Sequence, residues 1–129
     1  MKNPQVLEAI QRNFIQSHLL ELGWMTYNPA ADVGGVDWIC IHQESGELRN
    51  VQQKGRLLIS KRYIGKDLWM CCSNYGAVYM IPHDILLETK AAKKAQLTAS
   101  WRKGEYHWAT ISREMANEIL KYKVCDIQS

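Results

Sequence analysis

The spacing of apolar and polar positions changes several times along the chain, and each change marks an element. From residue 4 to 22, Val6, Leu7, Ile10, Phe14, Leu20 and Leu22 recur at helical spacing and predict a helix with a broad apolar stripe. Asn3 suits the N-cap, Pro4 the first turn and Gly23 the stop. Glu8 falls on one row with Ile15, Leu19 and Leu22 by three- and four-residue steps, which puts its carboxylate at the margin of the buried face. An acid in a first turn also favours the helix dipole.

After Gly23 the period shortens. Residues 24–28 read as a short strand, and a loop then runs to Gly34-Gly35, where the backbone is free to take positive φ or approach a neighbour closely. Residues 36–42 and 47–54 form a predicted hairpin around Glu44-Ser45-Gly46. Alternation along its second strand turns Gln52 and Lys54 to one face and Val51 to the core. Residues 56–60 are extended and 61–66 a polar turn. Strands at 67–72 and 77–81 follow, joined by Ser73-Asn74-Tyr75-Gly76. A helix from Pro82-His83-Asp84 to about Leu97 carries Ile85, Leu86, Leu87, Ala91 and Ala95 as its packing residues. An aromatic stretch with a strand at 106–109 comes next, and Ser112 caps a last helix bearing Met115, Ile119 and Leu120. These elements predict an α/β (α+β) chain, with a central mixed sheet of about four to six strands flanked by helices. They make one domain over residues 1–129.

Composition adds boundaries. With 129 residues, 47% of them hydrophobic, the chain can bury a small core. No run of about 18 apolar residues marks a transmembrane helix. The segment Met1-Lys2-Asn3-Pro4-Gln5 lacks signal-peptide features, so a cytoplasmic location without membrane association is expected. Cys40, Cys71, Cys72 and Cys125 form no CxxC pair, and Cys71 and Cys72 would face opposite sides of a strand; buried free thiols are expected. The net charge of +3 is mild, but its distribution is not even. Lys54, Arg56, Lys61, Arg62 and Lys66 fall in one window, and Lys90, Lys93, Lys94, Arg102 and Lys103 in another. Such clusters suit phosphate contacts with a nucleic acid, although any single lysine is also ordinary solubilising charge. His18, His42, His83 and His107 have no partner at metal-ligand spacing, and Ser60, Ser73 and Ser112 lack a nucleophile-elbow context. Trp101, Tyr106 and Trp108 read first as core or interface aromatics and second as platforms for bases.

One constellation remains. A helix glutamate (Glu8), the run Gly34-Gly35-Val36-Asp37 entering one strand, and Gln52-Gln53-Lys54 ending the next resemble the PD-(D/E)XK nuclease superfamily. That superfamily includes restriction endonucleases, archaeal Holliday-junction resolvases and some homing endonucleases. The resemblance covers roughly residues 4–82, and residues 83–129 carry no motif with an assigned role. It implies a restriction-endonuclease-like fold and hydrolysis of DNA phosphodiester bonds with magnesium or manganese. In that chemistry Asp37 is the central metal ligand. Glu8 binds the metal directly or through water, and the backbone carbonyl of Gln53 is a further ligand. Lys54 orients or helps deprotonate the attacking water. Arg56, Lys61, Arg62 and Lys66 would contact DNA phosphates, and cutting both strands of a duplex would need a homodimer or higher homo-oligomer. Two features depart from the superfamily pattern. Gln52 is a neutral amide where an acid is usual. The stretch between Lys54 and the next strand is short and extended rather than helical, which suggests a sheet elaborated by extra antiparallel strands. Gln52 favours an alternative on the same fold, a catalytically inactive nucleic-acid-binding or assembly module. A protein-interaction domain without a nucleic-acid role is the third reading.

Overall fold

The structure, a computed structural model, describes residues 3–31 and 34–127. Helix α1 spans Pro4–Glu21, and the Asn3 side chain accepts from the Gln5 N–H at 2.7 Å, as the cap was expected to do. The face it buries is not the expected stripe. Ile15 and Leu19 are buried, whereas Val6, Leu7, Ile10, Phe14, Leu20 and Leu22 are 42–55% exposed. The helix meets the sheet along the row of Glu8, Arg12, Ile15 and Leu19. At about 100° per residue, Leu7 and Phe14 sit roughly a third of a turn away from that row and Ile10 nearly opposite it.

Six strands form one sheet in the order β1 (Trp24–Tyr27), β2 (Trp38–His42), β3 (Leu48–Lys54), β5 (Leu68–Asn74), β6 (Ala77–Pro82) and β8 (Lys123–Asp126). Every neighbouring pair is antiparallel except β3 and β5, which run parallel from Asn50↔Leu68 to Lys54↔Cys72. The fold is therefore a mixed α/β sheet flanked by helices. The sheet is buried on both faces, which explains why β5 and β6 read as near-continuous apolar runs. One face packs Ile15, Leu19, Trp38, Val51, Cys71 and Met80. The other packs Leu58, Ile59, Met70, Cys72, Ile81 and Ile119. Cys71 and Cys72 fall on opposite faces and are buried free thiols, as alternation required.

The connection from β3 to β5 is extended, as anticipated, but its strand leaves the main sheet. Strand β4 (Leu58–Ser60) pairs antiparallel with β7 (Glu105–His107) in a separate two-stranded sheet, and a 3-10 turn follows at Lys61–Tyr63.

Two expectations for the C-terminal part are corrected. The single helix from residue 82 to 97 is instead two short ones, α2 (His83–Leu86) and α3 (Lys90–Ala95), and a third, α4 (Ala99–Arg102), follows. Threonines restart it each time: Thr89 accepts from the Ala92 N–H, and Thr98 from the Trp101 N–H. The last helix, α5 (Arg113–Glu118), is short, and the chain then returns as β8 to pair with β6. Among the described residues, no helix is long and apolar enough to cross a membrane.

Candidate active site

The site arises where two strands part. The β2–β3 ladder begins at Trp38↔Val51, and just before it the Asp37 N–H donates to the Val51 carbonyl at 2.8 Å. Beyond Val51, β3 runs on for Gln52, Gln53 and Lys54 beside β5 alone. The edge of β3 that faced β2 then has no strand to pair with. Asp37 takes over there, its Oδ2 accepting the Gln53 N–H at 2.8 Å. A strand residue projects its N–H and C=O from the same edge, so the Gln53 carbonyl lies on the edge that the Asp37 carboxylate covers.

The Gln53 side chain locks this corner. It is only 4% exposed; its Oε1 accepts from the Trp38 Nε1–H at 3.1 Å, and its Nε2 donates to the Glu8 carbonyl at 3.2 Å. Helix α1, β2 and β3 are thereby tied at one point, where the Glu8 backbone is held. The Glu8 carboxylate is exposed at the end of the row that carries Ile15 and Leu19.

Gln52 points to the opposite face and is 3% exposed, so it is not a surface amide. Its Oε1 is buried with no hydrogen-bond partner among the described residues. The space around it is closed by Gly35, which has φ +83°. A Cβ there would lie 3.3 Å from the Gln52 Oε1 and 2.9 Å from the Tyr63 Cε1. The second glycine of the Gly-Gly pair is thus needed both for its backbone angle and for its lack of a side chain. Lys54, on the same face as Gln52, is exposed.

Asp37, Gln53 and the Glu8 backbone therefore meet at the end of β3, with Gln52 and Lys54 on the other face of the strand. The basic residues of the connector follow directly, with different surroundings. The Lys61 Nζ donates to the Arg102 carbonyl at 3.5 Å and lies 5.6 Å from the centre of the Trp101 ring. Arg62 donates to the Tyr63 hydroxyl at 3.4 Å. Arg56 and Lys66 are exposed.

Two residues escaped the sequence reading. Tyr63 walls the Gln52 side, and no local pattern announces a contact made across that much chain. Arg12 sits one turn after Glu8 on the same row, and its Nε is buried without a hydrogen-bond partner among the described residues. Its i+4 spacing from Glu8 was a usable signal.

Among the described residues, no group of three His, Cys, Asp or Glu side chains could hold a metal ion. The oxygen donors here are instead of mixed kind: the Asp37 and Glu8 carboxylates, the Gln53 carbonyl and the Gln52 amide. A hard cation such as magnesium accepts such a set. Among the described residues the Gln52 Oε1 lacks a hydrogen-bond partner, and a cation is one group that would satisfy such a buried acceptor.

No protein-family model matches the chain, and no curated protein matches it. Among solved structures the chain is similar to a bacterial homing endonuclease, I-Ssp6803I. The two are 20% identical, with 95% of this chain and 88% of that chain covered and a TM-score of 0.53. The likeness runs over nearly the whole chain, and it is a likeness of fold, of a nuclease-like kind.

Proposed function

We propose that the chain is a metal-dependent endonuclease that hydrolyses phosphodiester bonds of DNA, built on the PD-(D/E)XK pattern its residues resemble. The fork at the end of β3 carries the reading. There the Asp37 carboxylate is held on the Gln53 N–H, the Gln52 Oε1 is buried without a partner among the described residues, and Lys54 stands at the exposed tip. The fold shared with a homing endonuclease supports it.

Asp37, Glu8, the Gln53 carbonyl and the Gln52 Oε1 would hold magnesium or manganese, which neutralises phosphate charge and lowers the pKa of a bound water. The chain's own residues do the rest. The Gln53 N–H fixes the Asp37 carboxylate, so the ligand is positioned before substrate arrives. Lys54 donates to the phosphate or to the attacking water and stabilises the charge that develops. Arg56, Lys61, Arg62 and Lys66 contact flanking phosphates, the two engaged ones by exchanging their present partners. One copy holds one such site, so cutting both strands of a duplex takes a homodimer or higher homo-oligomer.

Plasmid nicking with magnesium or manganese tests this, comparing wild type with Asp37→Ala and Lys54→Ala. Both variants should lose at least about 100-fold in rate, as removal of a group that stabilises a transition state does. Lys54 is exposed, so its loss should leave the melting temperature within about 2 °C of wild type. A wild type that nicks no faster than both variants would show the site to be wrongly placed.

Gln52 favours a second reading, a catalytically inactive nucleic-acid-binding or assembly module on the same fold. Its amide leaves only Asp37 and Glu8 as charged donors. Magnesium titration by calorimetry separates the two, because a pure binding module has no magnesium site that depends on Asp37.

A further inference from the structure

A second feature lies in the part of the chain that carries no motif. A groove of about 800 Å³ opens between α3, α5 and the segment that follows β7; Lys90, Lys94, Tyr106, Trp108, Met115 and Asn117 are among its walls. That volume is in the range of small-ligand sites, about 300–1,000 Å³.

The aromatic wall is ordered. Tyr106 and Trp108 are half-buried, with ring centroids 5.0 Å apart at 71°, and they pack against the core cluster on their inner side. The cationic wall is a pair one helical turn apart, Lys90 and Lys94, and neither side chain forms an ion pair among the described residues. Two glutamates also line the groove. Both carboxylate oxygens of Glu118 already accept the Lys90 N–H, at 3.1 and 3.0 Å, so that charge is engaged at the start of α3. Glu114, with Asn117, offers acceptors and donors at the rim.

This combination matches a nucleotide. The face of a base stacks on aromatic rings, its edge needs donors and acceptors, and its phosphate needs cations. A base inside a duplex hides its face in the stack, so the groove suits an unpaired one, single-stranded or turned out of the helix. The groove also adjoins the candidate active site through the backbone. The Trp108 N–H donates to the Leu57 carbonyl at 3.0 Å, and Leu57 is the third residue after Lys54.

We propose that this groove binds an unpaired nucleotide of the DNA strand, with its base on Tyr106 and Trp108 and its phosphate on Lys90 and Lys94. The proposal rests on the reading of the chain as a DNA-acting protein.

Fluorescence anisotropy tests it with a labelled single-stranded oligonucleotide and a blunt duplex of the same sequence, in EDTA so that nothing is cut. Lys94→Glu and Trp108→Leu should each weaken single-strand binding by roughly tenfold or more, and duplex binding by much less. Lys93→Glu is the control. It makes the same charge change on the same helix, at an exposed residue that is not part of the groove wall. Because Trp108 packs on the core, the comparison of Lys94→Glu with Lys93→Glu stands alone if Trp108→Leu fails to fold. Equal effects of those two charge reversals, or a wild type that does not bind the single strand, overturns the proposal. Nicking assays on the same variants keep the two readings apart. If nicking depends on Asp37 and Lys54 while groove variants bind normally, only the groove falls. If groove variants lose single-strand binding while no variant affects nicking, the groove stands and the active-site reading falls.

Discussion

Replacing Gln52 by glutamate puts a carboxyl at the position where the resembled superfamily usually has one, and the surroundings of Gln52 set the sign of two opposing effects. Without a metal ion the change is destabilising. The side chain is 3% exposed, its oxygen has no donor among the described residues, and the Asp37 carboxylate is bound to the N–H of the very next residue. Burial and a like charge both disfavour an ionised group, so the folded-state pKa of the new carboxyl lies above the unfolded value of about 4.3. Below that pH the group is protonated in both states and the variant matches wild type in this respect. As pH rises, the unfolded chain releases its proton first, and stability falls until the folded pKa is passed. A rise of about two pKa units amounts to roughly 2.7 kcal/mol at neutral pH. For a chain of this size that is a drop in melting temperature on the order of 10 °C. A cation at the site reverses the sign. Two unit charges about 4 Å apart attract by roughly 4 kcal/mol at an effective dielectric near 20, enough to offset the loss. Calorimetric melting from pH 4.5 to 8, with and without millimolar magnesium, therefore gives a distinct pattern. The variant should diverge from wild type as pH rises and be rescued by magnesium more than wild type is stabilised by it. A variant that melts in parallel with wild type at every pH, unaffected by magnesium, would mean that Gln52 does not face a cation site.

Other consequences are separable. Gly35→Ala forces a left-handed alanine, about 1–2 kcal/mol, and pushes a methyl to 2.9 Å from the Tyr63 ring, about 1–3 kcal/mol more. Gly34→Ala, at φ +63° but in open space, incurs only the first cost, so urea denaturation should rank Gly35→Ala clearly lower; equal losses would disprove the close packing. His83→Leu strands the buried Ser60 N–H, which now donates to the His83 Nε2 at 3.0 Å. It should lose about 1–3 kcal/mol in the same assay, and a neutral result would show that bond to be replaceable. Burial pushes the Cys40 thiol up to about 11 and Cys72 up to about 12, and raises Cys71 as well. Cys125 is only partly buried, so a disulfide reagent at pH 8 should modify it first and the other three only as the protein unfolds; four equal rates would contradict the core assignment.

What could be read from the chain follows from how local each cause is. The first helix, the β2–β3 hairpin and the two strands after it are set by caps, turns and alternation within a few residues, and they fold where the pattern put them. The split of residues 83–102 into three helices could not be read that way. Thr89 and Thr98 favour caps over helix interiors, but a threonine alone does not restart a helix, and burial of Leu86, Ala92 and Trp101 fixes where the breaks fall. Strand β8 exists because β6 has a free edge to pair with, which is a property of the sheet and not of residues 123–126. The stripe of α1 shows the same limit. Its period marks an apolar face, but the row that meets the sheet is chosen by the bond from Gln53 to Glu8 and by Ile15 and Leu19.

The candidate site has a topological cause beneath its motif. An antiparallel neighbour, β2, stops at Trp38, while a parallel neighbour, β5, carries β3 onward to Lys54. Wherever one neighbour ends and the strand continues, the abandoned edge presents backbone groups that must find other partners. Here the first is the Gln53 N–H, and the side chain that answers it is the aspartate standing just before β2 begins. An Asp ahead of one strand, set against the backbone N–H of the residue two beyond the last ladder pair of the next, is thus what this fork calls for. Asp37 and the Gln53 backbone would meet there in an inactive module too. Lys54 at the tip and the oxygen of Gln52, unpartnered among the described residues, are not needed to close the fork, and catalysis would depend on those two residues.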